Sequence, residues 1–139
     1  MVIFIIFVTL LITTRVMSEE HAEVEVVAVE KVEAEYNKDI WIRTLAYLYG
    51  VEEVGARKIM ECESSMYSEA VNRNLREDGS TWSIDVGPWQ INDYYHEKQA
   101  LSMGLDIYDE KDNIEYGFWL FSIEGAVPWS ASRHCHGMS

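Results

Sequence analysis

An eleven-residue apolar run, Val2 to Ile12 (VIFIIFVTLLI), opens the chain and is interrupted only by Thr9. A bilayer-spanning helix needs about 20 such residues, and Thr13-Thr14-Arg15 ends this run too early. The length suits the hydrophobic region of a secretory signal, and Val16-Met17-Ser18 supplies acceptable residues for a cut before Glu19. No Lys or Arg precedes the run, so only the α-amino group charges its front end; an uncleaved N-terminal membrane anchor is the alternative. The expected location is outside the cell or within its envelope (periplasmic or extracellular). With a signal peptide at residues 1–18 removed, no stable membrane span is expected. About 120 residues then remain, enough for one small domain and not for two.

Export puts Cys62 and Cys135 in a compartment where disulfides persist. An even count in a small exported domain favours one bridge, closing a loop of roughly 70 residues and worth on the order of 4 kcal/mol in the chain-entropy model. Two free thiols are the alternative. Eleven Lys+Arg against twenty-four Asp+Glu give a net charge of −13 and a pI near 4.6. So acidic a chain lacks the basic face that nucleic-acid phosphates demand, and no nucleic-acid partner is expected. It is equally unlike a cationic peptide that acts on anionic envelopes. At 48% hydrophobic and 12% aromatic it holds ample material for a core, which excludes wholesale disorder. Monomer is the default state.

The acid is unevenly spread: residues 1–36 carry seven Glu against only Arg15 and Lys31. Glu19 to Glu35 (EEHAEVEVVAVEKVEAE) holds no aromatic residue. Its Val content would allow a strand and its Glu and Ala content a helix; a flexible acidic spacer over 19–37 is the blander reading. The domain proper is expected over 38–139. Asp39 is expected to cap a short helix from Ile40 to Tyr49, stopped by Gly50. Val51 to Glu63 reads as a second helix, with Glu52 and Glu53 in its first turn and Val54, Ile59, Met60 and Cys62 on its buried side. Asn72 to Ile84 is rich in turn formers, and a short hairpin around Asp78-Gly79 is the one strand signal. Asp85 to Asn92 (DVGPWQIN) reads as a structured loop, and His96 to Met103 as a helix stopped by Gly104. A last long helix, Ile114 to Glu124, is capped by Asp112-Asn113 and ended by Gly125. The fold class is mostly α in an α+β arrangement: a small helical domain with a short β-hairpin and loop lobe.

Chemistry concentrates around Glu63. A Glu at the end of an apolar helix sits where burial can hold its carboxyl protonated near neutral pH. Twenty-two residues on lies Asp85. One carboxyl in apolar surroundings and another in polar surroundings, across a groove, is the arrangement that glycoside cleavage uses. From spacing alone the pair is a weak signal among twenty-four acids, and a solvated Glu at a helix end is the commoner case.

The segment Cys62-Glu63-Ser64-Ser65, Ala70-Val71-Asn72-Arg73-Asn74, Asp78-Gly79-Ser80-Thr81, Asp85-Val86-Gly87 and Gln90-Ile91-Asn92 resembles the active-site region of C-type lysozymes, with about five residues inserted. It is also similar to SLT-type lytic transglycosylases, whose signature pairs Glu-Ser, an Ala seven residues after the Glu, and Gly-x-x-Gln. His96, Gly104, Asp112-Asn113-Ile114 and Gly117 resemble, in order, the smaller specialised transglycosylases that open peptidoglycan. The similarity covers roughly Tyr47 to Cys135. It implies a lysozyme-like fold with the β lobe flanking an active-site groove, Glu63 as general acid, and Asp85 at the position of the second carboxylate of C-type lysozymes. Gln90 and Asn92 match groove positions. Trp129 resembles the Trp that packs on the catalytic Glu, and Cys135 the C-terminal Cys that bridges to the catalytic helix. Ser64 and Tyr116 join Gln90, Asn92 and Trp129 as candidate glycan contacts. Two departures touch sugar contacts: Trp129-Ser130-Ala131-Ser132 stands where transglycosylases carry Tyr-Asn-x-Gly, and Pro88-Trp89 replaces the usual Leu-Met.

Other features carry less. Three adjacent residues, His134-Cys135-His136, cannot easily converge on one metal ion. Asp106 to Glu115 lacks the glycine of a calcium loop. No metal and no cofactor are expected. Trp41, Phe118, Trp119 and Phe121 read as core; Trp82 and Trp89 either stack on sugars or pack; Tyr94 and Tyr95 are further candidates for the groove; His96 reads as a packing or capping residue.

The resemblance implies an exported enzyme that cuts the MurNAc–GlcNAc β-1,4 bond of peptidoglycan glycan strands. The first expectation is a lytic transglycosylase forming 1,6-anhydro-MurNAc ends with Glu63 alone as acid and then base. The alternatives are a lysozyme-type muramidase using Glu63 and Asp85 with water, and a catalytically idle lysozyme-like module that binds glycan.

Overall fold

The computed structural model describes residues 36–138; the expected signal peptide and nearly all of the expected spacer lie outside them. Lys38–Ser139 forms one compact unit. In chain order it contains α1 (Lys38–Tyr49), α2 (Glu53–Ser64), β1 (Val71–Leu75), β2 (Thr81–Val86), β3 (Ile91–Asn92), α3 (Asp93–Ser102), α4 (Glu110–Glu124), a 3₁₀ turn (Val127–Ser132) and the short α5 (Arg133–His136). The fold is mostly helical with a three-stranded antiparallel sheet, an α+β arrangement.

Burial follows the helical period. α1 buries Ile42, Leu45 and Ala46, and α2 buries Gly55, Ala56, Ile59 and Met60, so each offers one apolar stripe to the core. By contrast, α4 is buried almost all round, from Asn113 and Ile114 through Tyr116, Gly117 and Phe118 to Leu120 and Phe121. It is the central element against which the others close.

Two helices start differently from the sequence expectation. α4 begins at Glu110, and its cap is Asp109, whose carboxylate accepts the N–H of Lys111 at 2.9 Å and of Asp112 at 3.1 Å. Asn113 is not a cap. Its amide is wholly buried inside α4 and donates to Val86 O at 3.0 Å and Ile107 O at 2.8 Å, while its oxygen accepts Trp89 N–H at 3.3 Å. One side chain thereby satisfies three backbone groups and fastens the β lobe to the central helix. α3 begins at Asp93 and not His96, because the Asp93 carboxylate accepts the backbone N–H of Ile84 at 2.8 Å and so joins the helix start to β2. Asp39 lies within the first turn of α1 and pairs with Arg57 at 2.8 Å.

The hairpin expected around Asp78-Gly79 is present as β1 and β2. Asp85 to Asn92 is not one loop, for it contains the end of β2, a turn, and β3 paired back with Asp85 opposite Asn92. The turn is set by close approach. Gly87 has φ +70°, and a Cβ there would lie 2.5 Å from the Asn113 amide, so only glycine fits. Trp89 is completely buried and presses on Gly117, where a Cβ would come within 2.2 Å of the indole. Trp89 therefore belongs to the core, packed with Phe118, Phe121 and Trp129 at centroid distances of 5.4, 5.9 and 4.7 Å.

Gly117→Ala is expected to cost about 2 kcal/mol, because the new methyl meets an indole that is walled in by three other rings. For a domain of this size that lowers the thermal midpoint by about 10 °C. An unchanged midpoint would show that Trp89 has room to move.

Candidate active site

The apolar stripe of α2 ends at Met60, and Glu63 lies in the next turn. Beyond it the chain takes two left-handed residues in succession, Ser65 (φ 55°) and Met66 (φ 60°), neither of them glycine. Their N–H groups close the helix onto Glu61 O at 2.9 Å and Met60 O at 3.2 Å. Lys38 secures this strained turn by donating to Met66 O at 3.1 Å and pairing with Glu110. The turn leads into the β lobe, and between that lobe and the helices lies a cleft of about 540 Å³.

Glu63 and Asp85 both line the cleft, together with Gln90, Asn92 and Trp129. Glu63 is half-buried. Burial pushes its carboxyl above the usual range; the Ser132 hydroxyl, which donates to Oε1, and His136 pull it down, and the charge of Asp85 adds to the rise. Trp129, itself buried, shares the cleft wall and donates its Nε1–H to Trp89 O at 2.8 Å.

Asp85 meets the opposite environment. The register sets Asn72 against it on β1 and Asn92 against it on β3. One carboxylate oxygen accepts Asn92 Nδ2 at 2.6 Å; the other accepts Asn74 Nδ2 at 3.0 Å and Asn72 Nδ2 at 3.4 Å. Three amide donors thus face an acceptor-only group. Asn92 also donates to Ser83 Oγ at 3.1 Å. Gln90 has a left-handed backbone (φ 49°), and its amide is tied to Gly87 O at 3.0 Å and Ala70 O at 3.3 Å, which braces the turn beneath the cleft.

Two expected glycan contacts take other places. Ser64 is not in the cleft wall; its hydroxyl lies 2.8 Å from Pro88 O and 3.2 Å from Met60 O, a strut between α2 and the β2–β3 turn. Tyr116 is completely buried because its position faces into the core from α4. Its hydroxyl lies 3.0 Å from His96 Nδ1. Burial raises the Tyr116 hydroxyl to about 12, so it keeps its proton beside the His96 ring. Burial also pushes His96 down, against the opposing charge of Glu124. His96 lines the cleft, as do Tyr95 and Glu124. His96 enters the sequence resemblance but reads there as a packing or capping residue, and Ser132 appears only in the segment that departs from Tyr-Asn-x-Gly.

Cys62 and Cys135 form a disulfide across 73 residues, with Cα atoms 5.9 Å apart. It joins α2, next to Glu63, to α5. Among the described residues no group of three His, Cys, Asp or Glu is arranged to hold a metal ion, and no described helix is long and apolar enough to cross a membrane. A carboxyl that burial pushes above its usual range and a second carboxyl surrounded by amides, in one cleft, can protonate a leaving oxygen and stabilise the positive charge left behind. The chain has no match among protein-family models, curated proteins or solved structures.

Proposed function

We propose that this chain is an exported peptidoglycan-cleaving enzyme acting on the MurNAc–GlcNAc β-1,4 bond, with Glu63 as the proton donor. The reading is supported by one observation above all: Glu63, pushed up by burial, shares a cleft with Asp85, which is surrounded by the amides of Asn72, Asn74 and Asn92. Glu63 protonates the glycosidic oxygen as the bond to the muramoyl C1 breaks. Asp85 faces the resulting oxocarbenium character, as ion stabiliser or nucleophile. Glu63, now ionised, takes a proton from water as the water oxygen bonds to C1, displacing the Asp85 carboxylate if it had bonded there, and a reducing end forms. The Asp85 network favours this water-consuming, lysozyme-type course.

The lytic transglycosylase remains the second reading, supported by Glu63-Ser64 with Ala70 and by Gly87 with Gln90. In that course Glu63, as base, takes the proton of the muramoyl C6 hydroxyl, which closes on C1 with no water consumed. Of His96, Asn113-Ile114 and Gly117, whose order leans the sequence towards that course, Asn113, Ile114 and Gly117 have packing roles in the core, while His96 lines the cleft.

Mass analysis of muropeptides released from purified peptidoglycan tests the proposal. Reducing ends are expected, with Asp85→Asn lowering the rate about 10²-fold. Anhydro-muramoyl ends with Asp85→Asn nearly as active would establish the one-carboxyl course. No release from several wall types would favour a glycan-binding module without turnover.

A further inference from the structure

We propose that Ser132 is a positioning residue for Glu63, holding the acid in one place through both of its protonation states. The inference rests on the reading of Glu63 as proton donor. Ser132 closes the 3₁₀ turn Val127–Ser132, and its Oγ contacts Glu63 Oε1 on one side and Trp129 O, at 3.0 Å, on the other. A hydroxyl carries one proton and two lone pairs. When Glu63 is ionised, Ser132 donates to Oε1. When Glu63 is protonated, its O–H donates to Ser132 Oγ, and the Ser132 proton swings to Trp129 O. Both states are satisfied by rotating one hydroxyl, with no heavy atom displaced. That suits a group that loses and regains a proton within one turnover.

The surroundings keep the acceptor at Trp129 O fixed. His136 is buried, with its Nε2 3.0 Å from Trp129 O and its Nδ1 3.1 Å from the Met138 backbone nitrogen. The Trp129 indole is itself anchored on Trp89 O. The disulfide ties α5, which begins directly after Ser132, to the residue preceding Glu63. The other charged or titratable groups acting on Glu63 are Asp85 from β2 and His136 from α5; His96 from α3 and Glu124 from α4 share the cleft. With those unchanged, removing the Ser132 hydroxyl takes away a donor to the ionised form, so the Glu63 carboxyl should rise further.

The test is a carbon-13 NMR titration of the Glu side-chain carboxyls in the full chain, with the Glu63 signal assigned by its loss in Glu63→Gln. In Ser132→Ala the Glu63 midpoint should move to higher pH, and Ser132→Thr, which keeps a hydroxyl, should return it towards the parent. Ser132→Gly carries the same expectation as Ser132→Ala and serves if the alanine variant does not fold. On peptidoglycan, the alkaline limb of the rate profile should move in the same direction, with kcat lowered about 10-fold and KM unchanged. A Glu63 midpoint that does not move in either variant lacking the hydroxyl overturns the inference. Because the titration needs no substrate, it separates the two claims: a raised midpoint beside a fully active Glu63→Gln would keep the Ser132 contact and overturn the reading of Glu63 as proton donor.

Discussion

Glu63→Gln is expected to slow peptidoglycan cleavage by about 10³-fold, the middle of the range for removing a general acid–base group. The amide can still accept from Ser132 but offers no comparably acidic proton to the leaving oxygen. Stability should move the other way. In the folded chain burial raises the Glu63 carboxyl, so folding disfavours its ionised form relative to the unfolded chain. Its contribution to stability is therefore complete below the unfolded-state pKa and lost as pH rises through the higher folded value. Gln is neutral throughout and loses nothing there. Above that window the variant should melt at or above the parental temperature.

Parental activity should fall on the alkaline side as Glu63 ionises, because the proton it must donate is gone. Clearing of a wall suspension and thermal melts across a pH series, measured on the same preparation, check both expectations. A variant that retains activity would remove Glu63 from the chemistry. One that is inactive but also melts well below the parent would make its carboxyl a structural group first.

The legible parts of the sequence were those where one residue type can do only one thing. Asp78-Gly79 marks the hairpin, and the apolar spacing of α2 carries Glu63 to its end. An even cysteine count favoured the bridge that joins α2 to α5. Of the candidate site residues, Glu63, Asp85, Gln90, Asn92 and Trp129 come together in one cleft. The missed parts turn on tertiary context. Asn113 is as good a cap by type as Asp109, and only the position of Val86 O and Trp89 N draws it into the core. The β3 strand is two residues long, after a turn in which Gln90 as well as Gly87 is left-handed, so no periodicity announces it. Tyr116 carries a groove-forming side chain on a helix that is buried on nearly every face. Ser132 is a serine in a tail, and what sets it apart is its contact with a carboxyl 69 residues earlier.

Loss of the Cys62–Cys135 bridge, by reduction or by Cys62→Ser with Cys135→Ser, is expected to cost on the order of 4 kcal/mol and about 20 °C in thermal midpoint. The 73-residue loop it closes encloses the whole β lobe, α3 and α4, so the unfolded chain regains much freedom when it opens. For a small domain this is a large share of the total stability. The local consequence matters as much. α5 is a four-residue helix, too short to form without tertiary support, and Cys135 is its tie to α2. Trp129 is held separately by Trp89, Phe121 and its own indole hydrogen bond, so the tail should fray from α5 inward and leave Trp129 until last. Melts with and without reductant measure the global cost. Amide exchange at residues 133–138 and at Trp129 in the reduced chain reads the order of loss. Protection that persists at 133–138 after reduction would mean that side-chain packing, not the bridge, holds α5 against α2.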